Sequence, residues 1–276
     1  MRKACSIMLI TAAVLLSCDR EAVDIEYPDY KQKMVIIGYI SPDKMSNLIG
    51  VSSNLRIYGD ELYVVNAFRN VSATVSNGEI ERDLDTTKTG FAFKSPGNPV
   101  EEGRTYRLKI SSNIGSVDAS CTVPFRRKFN LKLDTIQAPG YMHGYYDVKV
   151  RFTDYPGEDN YYLLFCEQVM YRSGKVFYTV FQFSGKNYIS DKGNDGSEFR
   201  MNVAGAIGAS NMTDSSFIKV ILLNTDENYY KFRKSLDNYN SGEDPFTEPS
   251  PVYSNVNGGL GIFAAYTTDS LIFRIK

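Results

Sequence analysis

Tryptophan is absent from the chain, and histidine occurs once, at His143 within GYMHGYYD. A two-histidine zinc site and the HExxH helix are therefore excluded, and a histidine-based triad is incomplete. His143, set between glycines, is expected in a loop. No G-x-S-x-G, Walker A or C-x-x-C motif occurs. Gly258-Gly259-Leu260-Gly261 runs into strand-like residues, whereas a phosphate cradle needs a helix N-terminus there. Thirty-one Lys and Arg against 32 Asp and Glu leave a formal net charge of −1, with a pI near 6.0. Such a balance provides no basic field for nucleic acid, so no nucleic-acid partner is expected. These absences argue against an enzyme, and the reading assigns no catalytic residue, metal or cofactor.

Cysteine is scarce too, with four in 276 residues. Two lie near the start. Arg2 and Lys3 precede an apolar stretch from Ala4 to Leu16, which ends in LLSC at Cys18. A charged start, a short apolar middle and a small residue before the break predict a secretory signal over 1–17, too short to span a bilayer. Leu15, Ser17 and Cys18 resemble the bacterial lipobox, which implies that Cys18 becomes the acylated first residue of a lipid-anchored protein. Residues 18–32 follow as a tether, acidic at Asp19, Glu21, Asp24 and Glu26 and without apolar periodicity. Cys5 leaves with the signal. Cys121 and Cys166 remain, each within an alternating apolar run, and are expected to be buried free thiols.

Twenty tyrosines and sixteen phenylalanines, with many Val, Ile and Thr, favour strands over helices. The predicted class is all-β: an Ig-like β-sandwich over 33–125, followed by a second β-rich domain with one helix over 126–276. In the first, SVDASCTV turns Val117, Ala119, Cys121 and Val123 to one face, and TYRLKI does the same with Tyr106, Leu108 and Ile110. KMVIIGYI, NLIGVSSNLRI, NVSATV and GFAFKS supply its other strands, separated by turns such as Asn77-Gly78 and Ser95-Pro96-Gly97. In the second, YYDVKVRF directs Tyr146, Val148, Val150 and Phe152 inward. FNLKLDTI, NYYLLFCEQVMYR, KVFYTVFQF and SFIKVILLN are further strands, with a hairpin turn at Ser173-Gly174. DENYYKFRKSLDNYN predicts a helix with Asp226 as N-cap, Tyr229, Phe232 and Leu236 toward a core, and Lys231, Arg233 and Lys234 toward water.

The C-terminal stretch DPFTEPSPVYSNVNGGLGIFAAY predicts a Pro-rich crossing loop from Asp244 to Pro251, anchored by Phe246 and carrying Pro249. A strand is expected over Val252–Val256. Asn257-Gly258-Gly259 then makes a tight turn with positive φ at Gly258 or Gly259. Gly261 permits a bulge or a close backbone approach, Ile262 or Phe263 is buried, and LIFRIK forms a separate last strand. The block is expected to lock a C-terminal hairpin onto the second domain.

PF-x-EP followed by VYSN-x-x-GGLGIF, behind a Tyr-rich helix, resembles the C-terminal signature of a family of uncharacterised Bacteroidota outer-membrane lipoproteins, a domain of unknown function often encoded beside TonB-dependent receptors. The lipobox, KMVIIGYI, Asn66-Ala67 before NVSATVSNG and the Val123-Pro124 close of the first sandwich extend the similarity over nearly the whole mature chain. The acidic residues behind Cys18 resemble a surface-export signal. The resemblance implies an outer-membrane, cell-surface address and a role as accessory ligand-capture or partner protein of a TonB-dependent receptor, with the ligand unidentified. The alternative is a structural or adhesive surface module with no transport role, because a fold does not fix a function.

One acidic stretch, SDKGNDGSE, offers oxygens at Asp191, Asn194, Asp195 and Glu198. Gly193 and Asn202 stand where an EF-hand has its third ligand and its bidentate glutamate. The expected structure is a solvated hairpin loop without metal.

Overall fold

Apolar alternation makes several of the strands, and the longest strand joins two halves of the fold. The structure is a computed structural model and describes residues 31–54, 70–87, 90–94, 99–140, 144–208, 214–240 and 250–275. Every element below lies in one compact unit, Gln32–Lys276. The fold is all-β, with one helix among the described residues.

The first strands are β1 (Met34–Ile40), β2 (Ser46–Ser53), β3 (Ser72–Ser76), β4 (Glu81–Asp83), β5 (Asp85–Thr87), β6 (Gly90–Lys94), β7 (Thr105–Ser112) and β8 (Gly115–Thr122). They are followed by β9 (Lys132–Gln137), β10 (Tyr145–Thr153), β11 (Tyr161–Arg172), β12 (Lys175–Phe181), β13 (Tyr188–Ser190), β14 (Glu198–Asn202), β15 (Ile207–Gly208) and β16 (Ser215–Thr225). Helix α1 (Glu227–Asn240) and β17 (Leu260–Arg274) complete the order. A long sheet runs β12-β11-β16-β17-β1-β2-β6-β5, with β13 added on β11. A second sheet runs β4-β3-β7-β8. In the third, β10 carries β14, β15 and β9.

β17 spans both cores. Its first half, Leu260–Ala265, pairs parallel with β1, and its second half, Tyr266–Arg274, pairs antiparallel with β16. The first core lies between β1, β2 and β6 on one side and β3, β7 and β8 on the other, and includes Ile36, Val75, Leu108, Cys121, Val256, Phe263 and Ala265. The second lies between β11 and β16 on one side and β10 on the other, with Val148, Val150, Phe152, Tyr162, Cys166 and Val220. Val123 belongs to the first and Phe129 to the second. Cys121 and Cys166 are therefore buried in separate cores, both free.

Several local expectations hold. Asp226 caps α1, its Oδ1 accepting from the Tyr229 N–H at 3.0 Å. Ser173 and Gly174, with φ of 48° and 72°, make the primed turn that joins β11 to β12. Tyr229, Phe232 and Leu236 face the sheet, where Phe232 packs with Ile262 and Ala264. Arg233 differs from its expected place in water. It is half-buried, and its Nε is enclosed without a hydrogen-bond partner.

The C-terminal stretch departs further. Val252–Val256 is not a strand, and only Asn257 makes an isolated bridge, to Asp118. LGIFAAY and LIFRIK are one continuous strand rather than two, because β1 takes over as neighbour where β16 ends. No C-terminal hairpin forms: the block joins the first core through Phe263 and packs under α1 through Ile262. Cys18, His143, Phe246 and Pro249 lie outside the described residues.

Candidate functional site

Three places bring chemically useful groups together, and the first is the glycine block. Gly258 has φ +76°, and a Cβ there would stand 2.8 Å from the Ser116 carbonyl oxygen. Gly259 does not take positive φ. Its restriction is close approach, since a Cβ would meet the Met34 carbonyl oxygen at 2.7 Å. Gly261 has both constraints, with φ +107° and a Cβ position 1.9 Å from the Ile36 carbonyl oxygen. Phe263 has no exposed surface. Its backbone is held by Asn255, whose Oδ1 accepts from the Phe263 N–H at 2.9 Å and whose Nδ2 donates to the Phe263 carbonyl at 2.7 Å. The same Nδ2 donates to the Ser120 carbonyl at 3.0 Å, and Asn257 Nδ2 donates to Asp118 Oδ2 at 2.9 Å. The Asn255 amide thus does the work of a neighbouring strand on the side of β17 that β16 has not reached. These contacts make the block an internal clasp.

The second place is acidic. SDKGNDGSE is not a hairpin, because β13 pairs with β11 and β14 with β10, so the loop crosses between sheets. That crossing buries Asp191, which is 2% exposed, and brings it to Asp154, 3% exposed, at the end of β10. Asp195 joins them, with one oxygen from each residue within 4.8 Å of the others. Glu198 is committed elsewhere. Arg200 Nε at 2.6 Å and Arg151 at 3.4 Å pair with it, and the Arg200 hydrogen bond foremost holds its carboxyl below the usual range. The sequence offered no sign of Asp154, which lies 37 residues before Asp191.

The third is an apolar face. On β11 and β16 the odd-numbered residues turn away from the second core. Near one end of these strands α1 covers them, and Leu163, Leu223 and Tyr266 are buried with Tyr229. Beyond the Lys219–Glu167 ion pair, at 3.1 Å, the same face continues without cover among the described residues. Register places Val180 opposite Glu167, Tyr178 opposite Val169 and Val176 opposite Tyr171, with Ile272 opposite Lys219. Tyr178 is 67% exposed, Val180 65% and Ile272 62%. Tyr171 stands edge-on to Phe217, with ring centroids 6.1 Å apart. β12 is the last strand of its sheet, so one row of its backbone groups also faces outward.

An open depression of about 510 Å³ lies elsewhere, lined by residues including Asp134, Ile136, Asp147 and Lys149. Arg151 pairs with Asp134 there and keeps its carboxyl below the usual range, which leaves it poorly suited to proton transfer.

No helix among the described residues is long and apolar enough to cross a membrane. The fold defines an all-β protein built on one shared sheet, with one helix among the described residues. The chain belongs to the DUF4249 family, a domain of unknown function, whose family model matches residues 20–272. None of the curated proteins matches it.

Proposed function

We propose that the protein is a non-enzymatic lipoprotein of the outer membrane, anchored through an acylated Cys18 and facing the cell surface, where it serves as an accessory ligand-capture or partner protein of a TonB-dependent receptor. The observation that carries this reading is the apolar face of β12, β11 and β16, uncovered among the described residues, where Tyr178 and Val180 are each more than 60% exposed and Val176 and Tyr171 stand beside them. Soluble monomers rarely leave a contiguous apolar surface of this kind, and its aromatic and aliphatic make-up is that of a protein-binding surface. The adjoining free edge of β12 adds a row of main-chain donors and acceptors on which an extended segment of the receptor can dock. A lipid anchor in the receptor's own membrane raises the local concentration of the pair, so a modest contact area is enough for a lasting complex.

Affinity purification from native outer membranes tests this reading. Stoichiometric recovery of a TonB-dependent barrel supports it, and loss of that barrel with Val180→Lys ties the contact to this face. Consistent absence of a barrel returns the protein to the structural or adhesive class.

A further inference from the structure

We propose that Asp154, Asp191 and Asp195 form a calcium-binding site that clamps the β10–β11 loop to the β13–β14 loop. The three carboxylates approach within 4.8 Å, and none has an ion-pair partner among the described residues. Each is oriented by one or more donors that leave oxygens available. Asp154 accepts from the Tyr162 hydroxyl at Oδ1 and from the Gly196 N–H at Oδ2, 2.7 Å. Asp195 Oδ1 accepts from the Gly157 N–H at 2.9 Å. Asp191 Oδ2 accepts from the Asn160 N–H at 2.9 Å and from Asn160 Nδ2 at 3.4 Å.

Independent of the clustering, Asp191 Oδ1 is buried and has no hydrogen-bond partner. A buried carboxylate oxygen left unpaired is costly, and more so beside two other carboxylates. Burial raises the Asp191 pKa, and the charges of Asp154 and Asp159 raise it further, while the Asn160 hydrogen bonds oppose the shift. A cation among the three groups satisfies the orphan oxygen and offsets the repulsion together. The donors are all hard oxygens, mostly charged and on irregular loops, which suits Ca²⁺ with water completing its shell better than the strict octahedron of Mg²⁺. One loop leaves β10 for β11 and the other leaves β13 for β14, so the ion would tie both sheets of the second core at one end.

Terbium is a usable probe, because Tyr162 is hydrogen-bonded to one of the ligands and can sensitise its emission. With the full chain purified in detergent, saturable Tb³⁺ luminescence on tyrosine excitation should be displaced by CaCl₂ and little by MgCl₂. Asp195→Asn retains the acceptor for Gly157, and Asp195 is exposed, so the fold should persist while affinity falls about ten-fold or more. Asp191→Asn should abolish displaceable binding. Calcium should also raise the melting temperature of the wild type over that in EDTA, by mass action, and fail to do so for Asp191→Asn. No saturable signal, a signal unchanged in both variants, or a stability that responds to pH in this region and not to calcium would overturn the proposal, the last because a shared proton would then occupy the cluster.

Discussion

Gly261 and Ile36 sit so close across β17 and β1 that a Cβ on residue 261 would stand 1.9 Å from the Ile36 carbonyl oxygen. No rotamer relieves this contact, since both partners are backbone. Gly261→Ala must therefore spread the parallel pair that connects the first strand of the chain to the last, in addition to holding an L-residue at φ +107°. Gly78, at φ +91° with nothing within 4 Å, isolates the conformational part alone. Chemical denaturation should show a loss of about 1–2 kcal/mol for Gly78→Ala and at least about 3 kcal/mol for Gly261→Ala. Equal losses would mean that the strand contact adds nothing.

Asn255 and Phe263 provide a second test of the clasp. Phe263→Ala should cost about 3–5 kcal/mol, as for a fully buried aromatic. Asn255→Ala leaves both Phe263 backbone groups without their partner and should cost about 2–4 kcal/mol. Asn255→Asp keeps the acceptor but turns a carboxylate oxygen toward the Phe263 carbonyl, so denaturation should find it no better than alanine. A wild-type melt for Asn255→Ala would show that the amide is incidental.

Asp226 gives a pH dependence. Burial raises its carboxyl to about 7, against hydrogen bonds from the N–H of Tyr229 and from Asn228 that favour the charged form. The unfolded chain ionises near 4, so between about pH 4 and pH 7 the folded state holds the extra proton. This group's contribution to stability therefore declines as pH rises through that window and is constant above it. Asn is as good an N-cap and carries no charge. Urea melts of Asp226→Asn should show an advantage over wild type that grows from pH 5 to pH 8, reaching about 1–3 kcal/mol. A difference independent of pH would remove Asp226 as the source.

Substitution on the apolar face should separate binding from folding. Tyr178 and Val180 are about two-thirds exposed, so Tyr178→Lys and Val180→Lys should change stability by no more than about 0.5 kcal/mol. Capture of a receptor from outer membranes should nevertheless be lost. Retained capture with both lysines in place would move the contact to another surface.

The two thiols of the folded unit should be inert. Cys121 and Cys166 belong to different cores, and burial pushes the Cys166 thiol up to about 12. Peptide mapping after alkylation should find both unmodified in the native protein and both labelled in denaturant. A Cys121–Cys166 disulfide would contradict the core assignment.

The period of two in YYDVKVRF, SVDASCTV and TYRLKI was enough to name Val148, Val150, Phe152, Val117, Ala119, Tyr106 and Leu108 as core, because alternation is a property of a single strand. Asp226 and Ser173-Gly174 were legible for a similar reason: a cap and a two-residue turn are made within a few neighbouring residues. Local chemistry also marked Gly258 or Gly259 for positive φ, which falls on Gly258, and Gly261 for a bulge or close backbone approach.

Partners distant in sequence were not legible. Nothing in NGGLGIF announces that Ile36 is the backbone it must clear, that Asn255 will serve Phe263 in place of a strand, or that one fifteen-residue strand will divide its pairing between β1 and β16. The acidic loop looked solvated because its composition is polar. Only the crossing from β13 to β14 buries Asp191 against Asp154. Likewise, alternation in KVFYTVFQF identified a strand but not its position at the end of a sheet, beyond the reach of α1. The sequence by itself determined which residues prefer strand, turn and cap, since those preferences are decided by local sterics and hydrogen bonds. The tertiary structure decided which strands neighbour one another and which faces remain uncovered, since both depend on contacts between segments far apart in the chain.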